Sequence, residues 1–297
     1  MRMRKLLFAG LFPFALGATA VAPSPEAAWK ASIVEANKDY ALTPHAILKI
    51  QDAAYLREGD VATLVGAKGR PASYHWVKGA NAHGVLTAGV KASHPYVVKD
   101  GKVYSEAALG KGIPVDTDVD ISGAQTQVDA GVIGARIWIF NQQNPAAKAF
   151  AGLSYYPYDP SYVVTARFTP DPKREARSFR TSRGTDKQFF HAGDATFMLK
   201  GQQFTLPFFS SDSDPAKMTS LSAFFTDGLT GKETYGAGRY VDVDGFGAFP
   251  PKMFRIDFNY AYNPNCARSA YFTCPYAVDN LALDMRAGER DPHKAHG

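Results

Sequence analysis

The chain has 297 residues, a formal net charge of +5, and 45% hydrophobic and 13% aromatic residues. This apolar content is sufficient for one large domain or for two of ordinary size. Three positive charges lie in the first 20 residues, so the other 277 residues carry a net charge of only +2. A nearly neutral protein has no large positive field to attract nucleic acid, and we exclude nucleic acid as a partner.

The first 20 residues have the layout of a secretory signal peptide. A basic start with Arg2 and Arg4 precedes an apolar run that begins at Leu6 and ends with the small residues Ala18 and Ala20. This pattern predicts cleavage after Ala20 and export to the periplasm or the extracellular space. No later segment is long and apolar enough to span a bilayer, so we expect no membrane span after cleavage.

Two helices are predicted next. Ser24, Pro25 and Glu26 are typical of a helix start, because they supply a cap, a first-turn proline and an acidic residue at the positive end of the dipole. A second start at Thr43-Pro44, followed by apolar residues at helical spacing, predicts a second helix that ends at Gly59. The chain therefore begins with a helical lead.

From Val61 onward the apolar residues alternate with a period of two, which is typical of strands. Asp100-Gly101 in YVVKDGKVYS is the best hairpin signal, and MLKGQQFTL is a second candidate. Short strands separated by Gly, Pro and Asp favour antiparallel sheets over a parallel sheet with crossover helices. We predict a mainly β protein, in which the short helical lead precedes antiparallel β-sandwich or barrel-like sheets. The predicted strands are VATLVG, ASYHWV, VLTAGV, GARIWIF, YVVTARF, TFMLK, QFTLPFF, LSAFF, RYVDV, FRIDF and LALDM.

The composition changes in the polar, proline-containing stretch NQQNPAAKAFAGLSYYPYDPSY. We place a domain boundary there, at about residue 145. Residues 24–145 then hold the helical lead and an N-terminal β unit, and residues 146–290 hold a C-terminal β unit packed against it. The final segment, residues 291–297, is predicted to be a frayed tail.

Motifs of several common sites are missing. The histidines form neither HExxH nor a paired Cys/His spacing, so we predict no metal site and no cofactor. GxSxG and SxxK are also missing, which excludes the familiar serine hydrolases. Gly236 and Gly238 in TYGAGRY lack the flanking strand and helix of a nucleotide loop, so we interpret them as a bend before a strand.

Polar residues are dense in the last third of the chain. In RIDFN, alternation places Ile256 and Phe258 on one face and Asp257 and Asn259 on the other. An ordinary solvated sheet face explains this pattern about as well as a polar pocket does. We adopt the pocket as the leading hypothesis, with Arg239 as the residue that binds an anionic or hydroxylated group. The predicted ligand-binding residues are Tyr235, Arg239, Asp257, Asn259 and Asn263.

This pocket predicts a small polar ligand or a cell-envelope component as the partner, with Tyr155 and Tyr156 as further stacking residues. The alternative is a hydrolase of envelope or carbohydrate material that uses an acid–base pair of carboxylates. A third possibility is a structural module with an exposed apolar patch for a partner protein. No catalytic residue is assigned, and the candidate carboxylates of the hydrolase are Asp227, Glu233, Asp257 and Glu289.

Cys266 and Cys274 are the two cysteines of the chain. Their spacing of eight positions, with no histidine beside them, is a poor match to a zinc site. An even cysteine count in an exported protein favours a Cys266–Cys274 disulfide. Closing so short a loop contributes on the order of 2–3 kcal/mol at most, so the bridge mainly shapes the loop.

The same segments resemble a known family. FFTDGLTGKETYGAGRY, DFNYAYNPNCARSAYFTCP and DNLALDMRAGE match the signatures of a widespread bacterial family, domain-of-unknown-function family 1684. GLSYYPYDPSYVVTARF and, more loosely, the helical lead ending in LREGD support the match. The resemblance covers nearly all of the chain after residue 20 but is faint from about Gly66 to Asp129. The family has no established reaction, so the resemblance implies the location of a site and not its chemistry. PYAVDN departs from the family, because only Pro275 remains of its proline-rich segment.

Overall fold

The computed structural model describes residues 22–294, and the predicted signal peptide lies outside this range. Within it, no helix has the length and apolar character needed to cross a membrane. Helix α1 spans Pro25–Asn37 and begins as predicted, because the Ser24 side chain accepts a hydrogen bond from the Ala27 N–H. A π-helical turn, Lys38–Leu42, and a 3-10 turn, Ile47–Lys49, follow it.

The first half of the chain forms two antiparallel sheets whose facing sides share one core. The four-stranded sheet has the order β1-β9-β8-β7, and the five-stranded sheet has the order β3-β2-β4-β5-β6. Leu64, Ile121 and Ile137 are fully buried in the core. The elements are β1 (Ile50–Leu56), β2 (Val61–Val65), β3 (His75–Lys78), β4 (Leu86–Lys91), β5 (His94–Lys99), β6 (Lys102–Tyr104), α2 (Glu106–Lys111), β7 (Ile113–Asp116), β8 (Val119–Asp129) and β9 (Val132–Asn141), with a 3-10 turn at Pro71–Ser73.

The predicted second helix is wrong, because its sequence forms the 3-10 turn and then strand β1. The register between β1 and β9 shifts between Ile50 and Asp52, which leaves one extra residue in β1. Such a bulge turns the following side chains to the other face of the strand. Ile50 therefore packs in a different cluster from Ala54 and Leu56, and the resulting apolar spacing imitates that of a helix.

The second half of the chain forms one nearly closed, barrel-like sheet of eight strands. Its order is β15-β14-β13-β12-β10-β16, with β11 paired to β12 and β17 paired to β14. The β14–β17 pair is parallel, and the other strand pairs of the described residues are antiparallel. The elements are α3 (Pro145–Lys148), β10 (Val163–Pro170), β11 (Ala176–Arg180), β12 (Asp186–Leu199), β13 (Gln202–Ser210), β14 (Ser220–Asp227), β15 (Arg239–Asp244), β16 (Met253–Asp257) and β17 (Asp279–Leu281), with 3-10 turns at Pro160–Tyr162, Pro215–Lys217, Phe258–Tyr260 and Asn265–Ala267.

Both predicted hairpins are confirmed. Asp100 and Gly101 join β5 to β6 with φ angles of 51° and 73°. Lys200 and Gly201 join β12 to β13 with φ angles of 48° and 81°. Two successive residues with positive φ are the geometry of a type I′ turn, which matches the twist of the strands it connects.

The eight-stranded sheet is apolar on both faces. Phe208 and Phe225 point into the barrel and belong to its main core. Their neighbours Phe209 and Phe224 point to the outer face, where they pack with Tyr240. Successive side chains of a strand point to opposite faces of the sheet. Two phenylalanines that are adjacent in sequence therefore place one ring in the barrel core and one on the outer face. The outer aromatic surface lies opposite the helical lead and the four-stranded sheet, and it forms one wall of the site described below.

Helix α1 packs on the second half of the chain. The indole N–H of Trp29 donates a hydrogen bond of 2.8 Å to the Asn259 carbonyl. The indole ring also contacts Tyr155 and Tyr158, with ring centroids 6.1 and 5.7 Å away. The helical lead that we grouped with residues 24–145 therefore also contacts the C-terminal β unit.

Residues 291–294 of the predicted frayed tail contact the folded protein, and residues 295–297 lie outside the described residues. Asp291 is buried, and its N–H donates to the Glu233 carbonyl at 3.0 Å. The ring of His293 lies 6.1 Å from that of Tyr235. These backbone and ring contacts attach residues 291–293 to the 231–235 loop, so this part of the segment is not frayed.

Candidate functional site

Arg239 is fully buried, and its hydrogen bonds hold parts of the fold together. Its guanidinium group donates to the Asp227 carboxylate at 2.7 Å, and neither side chain is exposed to solvent. It also donates to three backbone carbonyls of the 285–289 segment, those of Met285, Ala287 and Glu289. A guanidinium group has five N–H donors in a rigid fork, so one side chain can hold a carboxylate and a loop together. Its contacts therefore lie inside the protein and not at a ligand.

Asn263 belongs to a neighbouring buried network. Its N–H donates to the Glu289 carboxylate at 2.8 Å, and its side-chain amide donates to the Arg290 carbonyl at 2.8 Å. Arg268 donates to the same Glu289 carboxylate at 2.7 Å. Arg239 reaches this network through the Glu289 carbonyl. The structure thus brings Arg239 and Asn263 together, as parts of the same structural support.

Asp257 and Asn259 form a separate pair at the end of β16. The Asn259 N–H and its side-chain amide both donate to the Asp257 carboxylate, at 3.1 and 2.9 Å. Arg255 donates to the other carboxylate oxygen at 2.9 Å. Asn259 also exchanges two hydrogen bonds with the backbone of Asp159. The predicted alternation ends here, because a 3-10 turn begins at Phe258 and buries Asn259.

Tyr235 lies beside the cysteines. Its hydroxyl group hydrogen-bonds with the Cys266 thiol, and burial raises the pKa of the phenol above its ordinary value. The Cys266 N–H donates to the Cys274 sulfur at 3.3 Å, and the two side chains also interact with each other. The hydrogen bond with Cys274 lowers the pKa of Cys266 to about 7, whereas the same contact and burial raise that of Cys274. Both cysteines are thiols in this structure.

The carboxylates of the hydrolase hypothesis all contact an arginine. Asp227 pairs with Arg239, Asp257 with Arg255, and Glu289 with Arg268; Glu233 pairs with Arg286 and also accepts a hydrogen bond from Tyr156. Burial and Glu233 raise the pKa of Tyr156 to about 12. Burial also raises the pKa of Glu289, although Arg268 opposes this. The four carboxylates lie in separate ion pairs and do not form one catalytic cluster.

A cavity of about 310 Å³ lies between the outer face of the eight-stranded sheet and the first half of the chain. Phe209, Phe224 and Tyr240 of the outer aromatic surface form one wall. The helical lead and the loop of the two cysteines supply much of the rest. None of the five predicted ligand-binding residues lines it. Its lining outside that wall includes Ala36, Asp39, Tyr40, Ile47, Arg136, Leu153, Tyr155, Lys187, Phe189, Ser222, Asp242, Tyr262, Phe272, Cys274 and Glu289.

Arg136 reaches the cavity from β9. Its neighbours Ala135 and Ile137 point into the core of the first two sheets, so Arg136 and Trp138 point to the opposite face. The guanidinium carbon lies 3.9 Å from the Trp138 ring centroid and 5.1 Å from that of Phe272. Burial lowers the pKa of Arg136, and its Nε–H has no hydrogen-bond partner. The aromatic rings therefore solvate this cation in part, without neutralising it.

Lys187 is a second cation on the cavity wall. It lies in β12 opposite Phe179 of β11, and its ammonium group is 5.3 Å from the Phe189 ring centroid. Burial lowers the pKa of Lys187, and repulsion by Arg136 lowers it further. Among residues 22–294, no carboxylate lies within ion-pair distance of Lys187 or Arg136.

Two of the three carboxylates in the cavity lining, Asp242 and Glu289, accept hydrogen bonds from protein donors. Asp242 accepts hydrogen bonds from the hydroxyl groups of Ser222 at 2.6 Å and Tyr262 at 3.0 Å. Glu289 is held by Arg268 and Asn263, as described above. Burial raises the pKa of Asp39, the third carboxylate, towards the neutral form. The cavity thus combines two hydrogen-bonded acids, and Asp39, with two cations that no acid of the described range pairs with.

Sequence reasoning missed Arg136 and Lys187, although both lie in runs with a visible signal. In ARIWIF, a charged residue occupies the same strand face as Trp138 and Phe140, where an apolar residue is usual. In DKQFF, Lys187 shares a face with Phe189 in the same way. The alternation predicts that such a charge faces an aromatic surface, but it does not say that the two strands meet across one cavity.

Gly238 supports the interpretation of TYGAGRY as a bend. Its φ angle is 86°, and an added Cβ would lie 2.7 Å from the Phe225 carbonyl oxygen. A glycine is required by this close approach of two backbones. The described residues also contain no group of three or more His, Cys, Asp or Glu side chains that could hold a metal ion.

Comparisons with known proteins give a family and no activity. The family model described as a protein of unknown function, DUF1684, matches residues 148–290. This is shorter than the coverage that the motifs suggested, because the helical lead and the first two sheets lie outside it. No curated protein matches the chain.

A solved structure with similarity to the chain is the solution NMR structure of an uncharacterized protein of Haloarcula marismortui. It is 31% identical, the match covers 50% of this chain and 80% of that one, and the TM-score is 0.43. The residues matched by the family model include the barrel-like sheet and the motif segments of the last third. The chain therefore belongs to the DUF1684 family of proteins of unknown function.

Proposed function

We propose that the protein is exported and binds a small molecule in the cavity between its two halves. The observation that supports this most strongly is the cavity itself, with its volume of about 310 Å³ and its wall of aromatic side chains. Sites for small molecules in proteins are concave, are mostly apolar, and have volumes of roughly 300–1,000 Å³. The basic start and apolar run of the first 20 residues support export.

The lining indicates the shape of the ligand. Phe209 and Phe224 stack with centroids 5.8 Å apart and planes 6° from parallel, which gives a flat apolar surface. Phe209 and Phe224 are themselves 1% and 3% exposed. An apolar body of the ligand would therefore displace water mainly from the partly buried lining residues Leu153 and Phe189 and gain hydrophobic free energy there. The hydroxyl groups of Ser222 and Tyr262 lie at the same wall and can orient a polar substituent. A small molecule with both parts fits this lining better than a fully polar sugar does.

A thermal-shift screen of the mature chain tests this function. We expect at least one of a set of small aromatic and aliphatic acids, amides and alcohols to raise the midpoint of unfolding, because a ligand of the native state stabilises it. Ser222→Trp should abolish the shift, since Ser222 lies opposite Phe209 in the sheet and the indole ring would fill the cavity.

Ser213→Trp is the matched control, because Ser213 is exposed and does not line the cavity. The control should bind as the unchanged protein does. A compound that stabilises the Ser222→Trp and Ser213→Trp variants equally would show that its site is elsewhere. A screen without any stabilising compound would argue against a small-molecule function.

We also propose that the exported protein forms a Cys266–Cys274 disulfide. The two side chains are already in contact, and Cys274 lies in the cavity wall. The bridge would fix the loop that carries Phe272 and so steady that wall. Titration of unfolded, unreduced protein from the periplasm should find no thiol, and titration after reduction should find both. Two reactive thiols before reduction would refute the bridge.

A further inference from the structure

Arg136 and Lys187 form an unneutralised pair of cations inside the protein. They lie on two different sheets, and both reach the cavity wall. No carboxylate of the described range pairs with either, although the cavity lining contains three. Their mutual repulsion adds to the cost of burial. Arg136 hydrogen-bonds with Tyr55, which is a neutral group, and both cations are only partly exposed. Charges of low exposure are normally paired with an opposite charge, so this arrangement suits an anion from outside the chain.

A purely structural role explains the pair poorly. Arg136 stacks on Trp138 and Phe272, but a methionine or leucine would fill the same space without the cost of removing a charge from water. Lys187 contacts the ring of Phe189, which a neutral side chain could also do. Residues that lower stability at a concave site are a common feature of binding sites, because function and stability conflict there.

We infer that Arg136 and Lys187 bind the anionic head group of the ligand, a carboxylate or a phosphate ester, while its apolar body lies against the aromatic wall of the cavity. This inference rests on the proposed function and names the class of ligand. An anion would gain a planar, two-pronged donor from the guanidinium group and a point charge from the ammonium group. Because the site is partly desolvated, these interactions are stronger than at an exposed surface.

Calorimetric titration of the mature chain with matched acids and amides tests the inference. The probes are benzoate and benzamide, 4-phenylbutanoate and 4-phenylbutanamide, octanoate and octanamide, with phenyl phosphate and inorganic phosphate as further arms. We expect at least one acid to bind about tenfold or more tightly than its amide, because charge-assisted hydrogen bonds are roughly twice as strong as neutral ones. Phenyl phosphate binding better than every carboxylate would identify a phosphate ester within the same anionic class.

The Lys187→Met variant should lose the preference for acids while it still binds the amides. Lys173→Met is the control for net charge, because Lys173 is exposed and pairs only with the exposed Glu175 on the surface. It should keep the preference. Arg136→Met should behave as Lys187→Met does, with a larger loss for probes that need two donors.

Stability separates this role from a structural one. Without ligand, Lys187→Met should unfold at the same or a higher denaturant concentration than the unchanged protein, because it removes an unpaired, largely buried charge. A clear loss of stability in Lys187→Met, with the acid preference intact, would overturn the inference. Equal binding of acids and amides by the unchanged protein would overturn the inference and leave the proposed function standing. If neither acids nor amides bind, both fail.

Discussion

Arg239→Met is expected to lower the free energy of unfolding by about 3–5 kcal/mol, which is the cost of leaving one partner of a buried ion pair alone. Arg239 is the largest fully buried side chain, and Asp227 beside it is equally inaccessible. The change also strands carbonyl groups of the 285–289 segment. Equilibrium unfolding in urea measures the effect through a shift of the midpoint.

Arg255→Met is the matched control, because Arg255 also pairs with an aspartate but is 56% exposed. An exposed pair contributes about 0–1 kcal/mol, so the control should change little. Adding Asp227→Asn to Arg239→Met should recover part of the loss, since it removes the stranded charge and keeps an acceptor for the Leu229 N–H. Equal losses in Arg239→Met and Arg255→Met would contradict the structural role of Arg239.

Trp29→Ala is expected to cost about 3–5 kcal/mol, which is the usual range for truncating a large buried aromatic side chain. Trp29 is 6% exposed and lies between helix α1 and the C-terminal unit. The substitution removes the contacts with Tyr155 and Tyr158 and leaves a space between them. Urea unfolding monitored by circular dichroism measures the loss.

Two variants refine the Trp29 test. Trp29→Phe should lose about 0.5–1.5 kcal/mol, because it keeps most of the ring and loses the hydrogen bond to the Asn259 carbonyl. Val34 lies in the same helix and is 56% exposed, so Val34→Ala should hardly change the free energy of unfolding. If Trp29→Ala were as mild as Val34→Ala, helix α1 would not be an integral part of the fold.

The sequence pattern was sufficient for the local structure of most strands. Asp100-Gly101 is one of the few residue pairs that adopt two successive positive φ angles at low cost, and in the other hairpin Gly201 supplies one of the two. Short runs rich in β-branched and aromatic residues, such as QFTLPFF with Phe208 and Phe209, also predict strands. These signals are local, because each depends on a few neighbouring residues and not on the partner strand.

Strand β1 could not be predicted in this way. Its bulge at Gln51 is fixed by pairing with β9, which lies about 80 residues later in the chain. With the bulge, Ile50 and Ala54 face different cores, and the spacing fits a helix as well as a strand. Tertiary pairing therefore decided between two local patterns that the sequence supports equally.

The candidate site shows a similar limit. The sequence shows that polar residues are dense in the last third of the chain. In a folded protein, however, polar side chains form hydrogen bonds with one another as readily as they bind a ligand. Arg239, Asn263 and Glu289 hold the closing segment of the barrel, and no spacing in the sequence reports that their partners are internal. Arg136 and Lys187 gave a weaker signal, yet they are the cations of the cavity lining, and no carboxylate of the described residues pairs with either.

The family motifs lie in segments that hold the closing part of the barrel in place. Gly288 in MRAGER has a φ angle of 81°, and a Cβ there would lie 2.6 Å from the Ala261 carbonyl oxygen. Tyr156 and Arg290 join the same segment to the boundary stretch through backbone hydrogen bonds. The motifs of the DUF1684 family thus build the frame around the cavity, whereas Arg136 lies outside the matched residues 148–290. Lys187 lies within the matched residues, so we expect the frame and the Lys187 position to be shared among relatives more widely than Arg136.

The most direct test of the cavity as an anion site is a crystal structure of the mature protein with 4-bromobenzoate, in which anomalous scattering locates the bromine. We expect the bromine beside Phe209 and Phe224 and the carboxylate between Arg136 and Lys187. A cavity that stays free of the probe while it binds elsewhere, or a carboxylate that points away from both cations, would contradict this assignment.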